Sequence, residues 1–259
     1  MIKKLFILVL ILFFISLQWY DLNSKTNIIL PTEEPNIEEP IVQEEVKYTI
    51  VIDPGHGPKV NSDMEPISPD STIMKRKYGT GTVGNITGTM EREINLNVSL
   101  MLRDLLEKDG FIVIMTRTNH EVILSNIDRV NLANDNNADL MIRIHNDSHT
   151  NTEIHGASML VPGDVGYASE IMDISRQYGE IILSTLVSEV GMANRGVITR
   201  TDQTGFNWSK VPVMTVEMGF LSNPDEDKLL STPEYQEKLA YALYLGIINC
   251  FKNKTLLNN

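Results

Sequence analysis

Ile50-Val51-Ile52-Asp53-Pro54-Gly55-His56-Gly57 joins a short β-branched apolar run to a Pro-Gly break. Tyr48–Asp53 therefore reads as a buried strand that stops at Pro54-Gly55. Phe111–Thr116, Asp139–Ile144, Gly156–Val161 and Val211–Glu217 have the same character. Helical patterns lie between them. Glu91–Lys108 sets Ile94, Val98, Met101, Leu102 and Leu105 at i, i+3/i+4 spacing and stops before Gly110, a C-terminal glycine. Ile127–Asn137, Ala168–Gly191 and Pro233–Phe251 are the other helices. Strands alternating with helices predict one α/β domain, a mainly parallel twisted sheet with helices on both faces. Ligands of such sheets gather at the carboxyl ends of the strands.

Two of the five histidines sit at that address. His56 follows the first strand, and His145 follows the third in Ile142-Arg143-Ile144-His145-Asn146. If those strands are adjacent, the two imidazoles are neighbours. Glu217 closes the apolar run Val213-Met214-Thr215-Val216-Glu217, and Glu91 opens the first helix. Alone, Glu217 reads as a salt-bridged or solvent-facing strand end, and Glu91 as a first-turn acid that suits the helix dipole. Two His with one carboxylate form a common ligand set for catalytic zinc, and a further carboxylate can accept the proton of a water. The single cysteine, Cys250, excludes a disulfide framework and a multi-Cys cluster. No His-Glu-x-x-His occurs.

The chain has 259 residues, 42% apolar and 22% charged, with 22 Lys+Arg against 34 Asp+Glu and a net charge of −12. That composition is globular, and its acidity argues against a nucleic-acid partner. Lys3 and Lys4 precede the uncharged run Leu5–Tyr20. Residues 1–22 read as an N-terminal membrane anchor or signal segment, with an anchor favoured because no small-x-small cleavage site follows. The positive end stays inside, so the rest is expected outside: anchored to the outer face of the cytoplasmic membrane, or secreted if the signal is cleaved. Residues 23–46 combine Pro31, Pro35 and Pro40 with Glu33, Glu34, Glu38, Glu39, Glu44 and Glu45 and read as an extended acidic linker. Much of the negative charge belongs to this tether. Residues 47–254 form the expected catalytic domain.

Four segments, in order, resemble the zinc-dependent N-acetylmuramoyl-L-alanine amidases of the amidase-3 type. They are Ile50–Gly57, Glu91-Arg92-Glu93-Ile94-Asn95-Leu96, Ile142–His145 and Val216-Glu217-Met218-Gly219-Phe220-Leu221-Ser222-Asn223-Pro224. The resemblance runs from about Lys47 to Phe251. It implies one Zn2+ held by His56, Glu91 and His145, with Glu217 as the catalytic glutamate. The implied reaction is hydrolysis of the amide between N-acetylmuramic acid and L-alanine of the peptidoglycan stem peptide. Glu93 lies close to Glu91, but the family's ligand precedes an Asn by four residues. Asn95 selects Glu91, because residues four apart share a helix face. Arg143 and Asn95 are candidate substrate-binding residues. Arg143 either meets a substrate carboxylate or pairs with an acidic neighbour. His120, His149 and His155 read as loop, solvated or structural residues, and Cys250 as core. Gly55, Gly57 and Gly219 read as close backbone approaches to the site.

The connection Gly57–Met90 is longer than the family norm. It carries Lys75, Arg76, Lys77 and the glycines Gly79, Gly81, Gly84 and Gly88, and reads as a loop that borders the substrate groove or docks a regulatory protein. The rival readings are another zinc-dependent cell-wall peptide hydrolase and a non-catalytic peptidoglycan-binding relative. Anchored amidases without wall-binding domains resemble those of sporulation, in cortex modification, or of daughter-cell separation in Gram-positive bacteria.

Overall fold

The computed structural model describes residues 47–257. The expected anchor or signal segment and the acidic linker lie outside them. Among the described residues no helix is long and apolar enough to cross a membrane.

A six-stranded sheet forms the centre. Its strands are β1 (Thr49–Pro54), β4 (Ile112–Met115), β5 (Leu140–Asp147), β6 (Ala157–Pro162), β7 (Asn194–Arg200) and β8 (Val213–Phe220), in the order β4-β1-β5-β8-β6-β7. β4, β1, β5 and β8 run parallel. β6 is antiparallel to β8, and β7 is parallel to β6. The sheet is thus mainly parallel, with its direction reversed beyond β8. The adjacency on which the histidine argument turned holds: β1 pairs with β5, and β5 with β8.

Side chains two residues apart on a strand share a face. Ile50, Ile52, Ile142, Ile144, Met214 and Val216 point to one side and form the larger core. That side is covered by α1 (Glu91–Lys108), α3 (Met172–Val190) and α6 (Pro233–Leu257). Cys250 lies in this core, where burial pushes its thiol up to about 12. Val51, Met141 and Val213 point to the other side, against Val130 and Ala133 of α2 (Asn126–Asp135) and Phe206 of α4 (Thr204–Asn207). Following this second face toward the carboxyl ends, the rows change character. Apolar Val51, Met141 and Val213 give way to Asp53, Arg143 and Thr215, then to His145 and Glu217. The strand-end rule thus becomes one face of three strands turning polar as it leaves the core.

α1 has the bounds its periodicity predicts. The expected Ala168–Gly191 helix is two pieces, a 3-10 turn at Gly166–Glu170 and α3, which ends on left-handed Gly191. The strand β7 was not expected. It is an edge strand with solvent-facing residues at both ends, so it lacks the apolar run that marks a buried strand. The helices α4 and α5 (Pro224–Leu230) were also unmarked. Gly57–Met90 is not a structureless loop: β2 (Asn61–Pro66) and β3 (Met74–Tyr78) form an antiparallel hairpin. A polar two-stranded ribbon shows little apolar alternation to reveal it. The hairpin is fastened to the body. Glu65 accepts from the backbone N–H of Asn126 and Ile127 at the start of α2. The Trp208 indole donates to the Pro66 carbonyl, and Asn207 to that of Ile67.

Candidate functional site

Glu91, the first residue of α1, reaches between the two imidazoles. Its Oε1 lies 3.0 Å from His56 Nε2 and 3.2 Å from His145 Nδ1. The ligand atoms of His56, Glu91 and His145 all fall within 4.8 Å of one another. Asn95, one turn along α1, donates to Glu91 Oε1 at 3.1 Å, and the Asn146 and Thr82 backbone N–H groups donate to its two oxygens. Asn95 is fully buried and accepts from Asn146, so its contacts are with the protein. Glu93 lies outside the group.

His56 adopts a left-handed backbone, φ 66°, unusual for a residue with a Cβ. Two arginines hold the chain there. Arg117 donates to the carbonyls of Pro54 and Gly55, and Arg129 to those of Pro54 and His56. Arg129 and Arg143 in turn flank Asp53, at 2.5 and 2.9 Å, and Thr116 donates to the same carboxylate at 2.6 Å. Burial pushes the Asp53 carboxyl up, but the two guanidiniums and Thr116 outweigh it and hold the group well below the usual carboxylate range. Of the two alternatives for Arg143, the structure shows pairing with an acidic neighbour, while the side chain also lines the cleft described below. Sequence reasoning did not single out Arg117 or Arg129. Arg117 falls just past the Phe111–Thr116 run and Arg129 inside the Ile127–Asn137 helix, with no motif around either.

The hairpin's return segment closes over this His-Glu-His group. The Gly79 carbonyl lies 3.1 Å from His56 Nδ1, turning Nε2 toward Glu91. At Gly81, φ +81°, a Cβ would lie 2.6 Å from Glu91 Oε2 and 2.9 Å from the His56 ring. Gly55 is needed in the same way, since a Cβ there would lie 2.3 Å from the His145 ring. The expectation fails at Gly57, where the nearest atom to a Cβ is 3.6 Å away. His120, His149 and His155 are exposed.

The donor set fits a divalent ion. Burial pushes His145 down to about 4, against the pull of Glu91, so its imidazole is neutral at pH 7, the ligand form. Burial raises Glu91, but its hydrogen bonds with His145 and His56 outweigh this and keep it ionised. Two imidazoles and one carboxylate suit zinc. Glu217 stands opposite His145 in the β5–β8 register. Its Oε2 is buried without a hydrogen-bond partner, and burial, followed by the charges of Glu91 and Asp147, raises its pKa well above the usual value. These residues line a cleft of about 940 Å³, walled also by Lys75, Arg76 and Arg200.

Residues 50–249 match the family model described as N-acetylmuramoyl-L-alanine amidase. The amidase LytC of Bacillus subtilis is 27% identical over 83% of this chain, which spans only 37% of that relative's length. The germination-specific N-acetylmuramoyl-L-alanine amidase of the same bacterium is 29% identical, over 79% of this chain and 80% of its own. Among solved structures, the amidase Ami1 of Mycobacterium smegmatis shares the fold, with a TM-score of 0.73, 22% identity, and coverage of 80% of this chain and 97% of its own. The CwlD amidase of Clostridioides difficile, solved in complex with the GerS lipoprotein, is 28% identical with a TM-score of 0.61 and coverage of 80% and 99%. The match over most of the described residues and the shared sheet architecture lead to one conclusion: this chain belongs to the N-acetylmuramoyl-L-alanine amidase family of peptidoglycan hydrolases.

Proposed function

We propose that the chain hydrolyses the amide between N-acetylmuramic acid and the L-alanine of the stem peptide, with His56, Glu91 and His145 as zinc ligands and Glu217 as the proton-transfer group. The observation that carries this reading is the convergence of a His-Glu-His set beside a buried, unpartnered Glu217 oxygen. Zinc held by these three residues would supply Lewis-acid polarisation of the amide carbonyl, would lower the pKa of a water toward about 7 and would favour the ionised form of Glu217. Glu217 takes the proton of the attacking water and delivers it to the departing nitrogen of L-alanine. Asn95, Asn146 and Thr82 fix the Glu91 carboxylate, and Gly79 fixes the tautomer of His56, as outer partners of metal ligands do.

Digestion of defined peptidoglycan by zinc-loaded and chelated protein tests the reading. Mass spectrometry should find intact stem peptide with an L-alanine amino terminus, from the loaded protein only. Cleavage inside the stem peptide instead, or undiminished release by chelated protein, refutes it. His145→Ala should lose the metal together with activity.

The setting of this activity is the cell wall outside the cytoplasmic membrane, reached through the 1–22 anchor and the 23–46 linker. The germination-specific relative favours a role in spores. The Gly57–Met90 segment docks a regulatory protein: Val60, Met64, Ile73, Met74, Val83 and Ile86 are all exposed there, and the CwlD relative is solved with a lipoprotein. Ile73→Ser combined with Ile86→Ser should abolish co-purification of a cell-envelope protein while hydrolysis by the isolated enzyme persists. Unchanged co-purification counts against it.

A further inference from the structure

One step below the His145–Glu217 row, the cleft has a second polar layer. Thr215 pairs with Arg143 in the β5–β8 register. Thr215 and Thr204 are 2% and 3% exposed, both line the cleft, and neither hydroxyl has a hydrogen-bond partner. Buried hydroxyls left unpaired are costly, so two on one cleft floor call for a ligand. Arg143 uses Nε on Asp53 and Nη2 on Asn126. Its Nη1 faces Gly205, where a Cβ would lie only 2.7 Å away. Lys75, Arg76 and Arg200 gather on the wall above. Asp202 pairs with Lys75 and Arg200, Asp147 and Glu217 face Arg200 from the cleft, and Arg76, beside Lys75 on the hairpin, is the exposed cation of the three.

We propose that Thr204, Thr215 and Arg143 on the floor, with Arg76 and Arg200 on the wall, hold a carboxylate of the peptide beyond the scissile amide, so that the enzyme selects stem peptides with a free acid over their amidated counterparts. The proposal rests on the amidase reading and names the substrate class of that same site. Two hydroxyl donors and guanidinium charge complement a carboxylate. A carboxamide in the same place loses the charge-assisted part of those bonds, and a neutral glycan face needs no cationic wall.

The test uses two muropeptides identical but for one group, the second stem residue being either a free acid or its amide. The zinc-loaded full chain should show kcat/KM about tenfold higher for the acid, the factor expected of one charge-assisted hydrogen bond. Arg76→Ala, on the exposed hairpin, should reduce that ratio, and Thr215→Val with Arg76→Ala should bring it close to one while zinc content stays unchanged. The ratio discriminates because a merely structural loss lowers both rates together. Calorimetric binding of the same two compounds to chelated wild-type protein gives an independent reading, with the acid form expected to bind more tightly. Equal kcat/KM and equal binding in the wild type overturn the proposal, as does a ratio untouched by both variants. A protein that cleaves neither compound yet binds the acid form more tightly keeps this subsite and loses the amidase reading. One that cleaves and binds both equally keeps the amidase and loses the subsite.

Discussion

Asp53→Asn should destabilise the domain far more than its size suggests. Asp53 is fully buried, and its oxygens accept from Thr116, Arg129 and Arg143. Both guanidiniums are buried, 2% and 7% exposed, so their charge has little access to water. Asparagine keeps one acceptor for Thr116 and Arg129. Its amide nitrogen meets Arg143 Nε donor to donor, and the charge that balanced two cations is gone. Breaking a buried ion pair from one side costs about 3–5 kcal/mol, a fifth or more of the ~5–15 kcal/mol by which a domain is stable. Urea unfolding at pH 7, followed by tryptophan fluorescence, should show the midpoint falling with little change in slope. The acid dependence supplies a second reading. The folded Asp53 carboxyl is depressed, so at acid pH the unfolded chain binds more protons than the folded one and stability rises with pH. This contribution is complete above about pH 4 and is lost as the pH falls from there toward the folded value. The asparagine variant should have a shallower acid limb. A loss below ~1 kcal/mol at pH 7, where a surface substitution would fall, or an unchanged acid limb, would refute the reasoning.

Glu217→Gln should retain zinc and fold while hydrolysis falls by about 10²–10⁴-fold; metal analysis and stem-peptide release from the same sample check this, and near wild-type turnover would sink the assignment. Gly81→Ala forces a Cβ against Glu91 and His56 in a left-handed backbone, so zinc affinity should drop by about 10–100-fold in a competitive chelator titration. Cys250, buried with its thiol raised, should resist an aromatic disulfide reagent in the native protein and react at once in denaturant.

The candidate ligands were legible because each sits where a strong local pattern starts or stops. His56 follows Pro54-Gly55, His145 ends an apolar run, and Glu91 opens a helix whose spacing is regular to Lys108. What holds them was not legible. Arg117 follows β4 and Arg129 rides on α2, so their meeting at the carbonyls of Pro54, Gly55 and His56 depends on tertiary packing that no spacing encodes. The helix α5 did leave a signal: Asn223 caps it, with Pro224 at its first turn and Asp225 and Glu226 following. Asn223 and Pro224 read instead as the tail of the Glu217 segment. Gly57–Met90 lacked periodicity because hydrogen bonds to α2, Asn207 and Trp208 fix its hairpin.

Around the His56 turn Arg117 and Arg129 grip main-chain oxygens, which every sequence possesses, and Arg129 is itself anchored on Asp53. The seat for His56 is therefore set when the chain folds, and the entropy of ordering it is not charged again to each arriving ion. Chelation of an ion bound there should thus leave the architecture intact and the site ready to be reloaded.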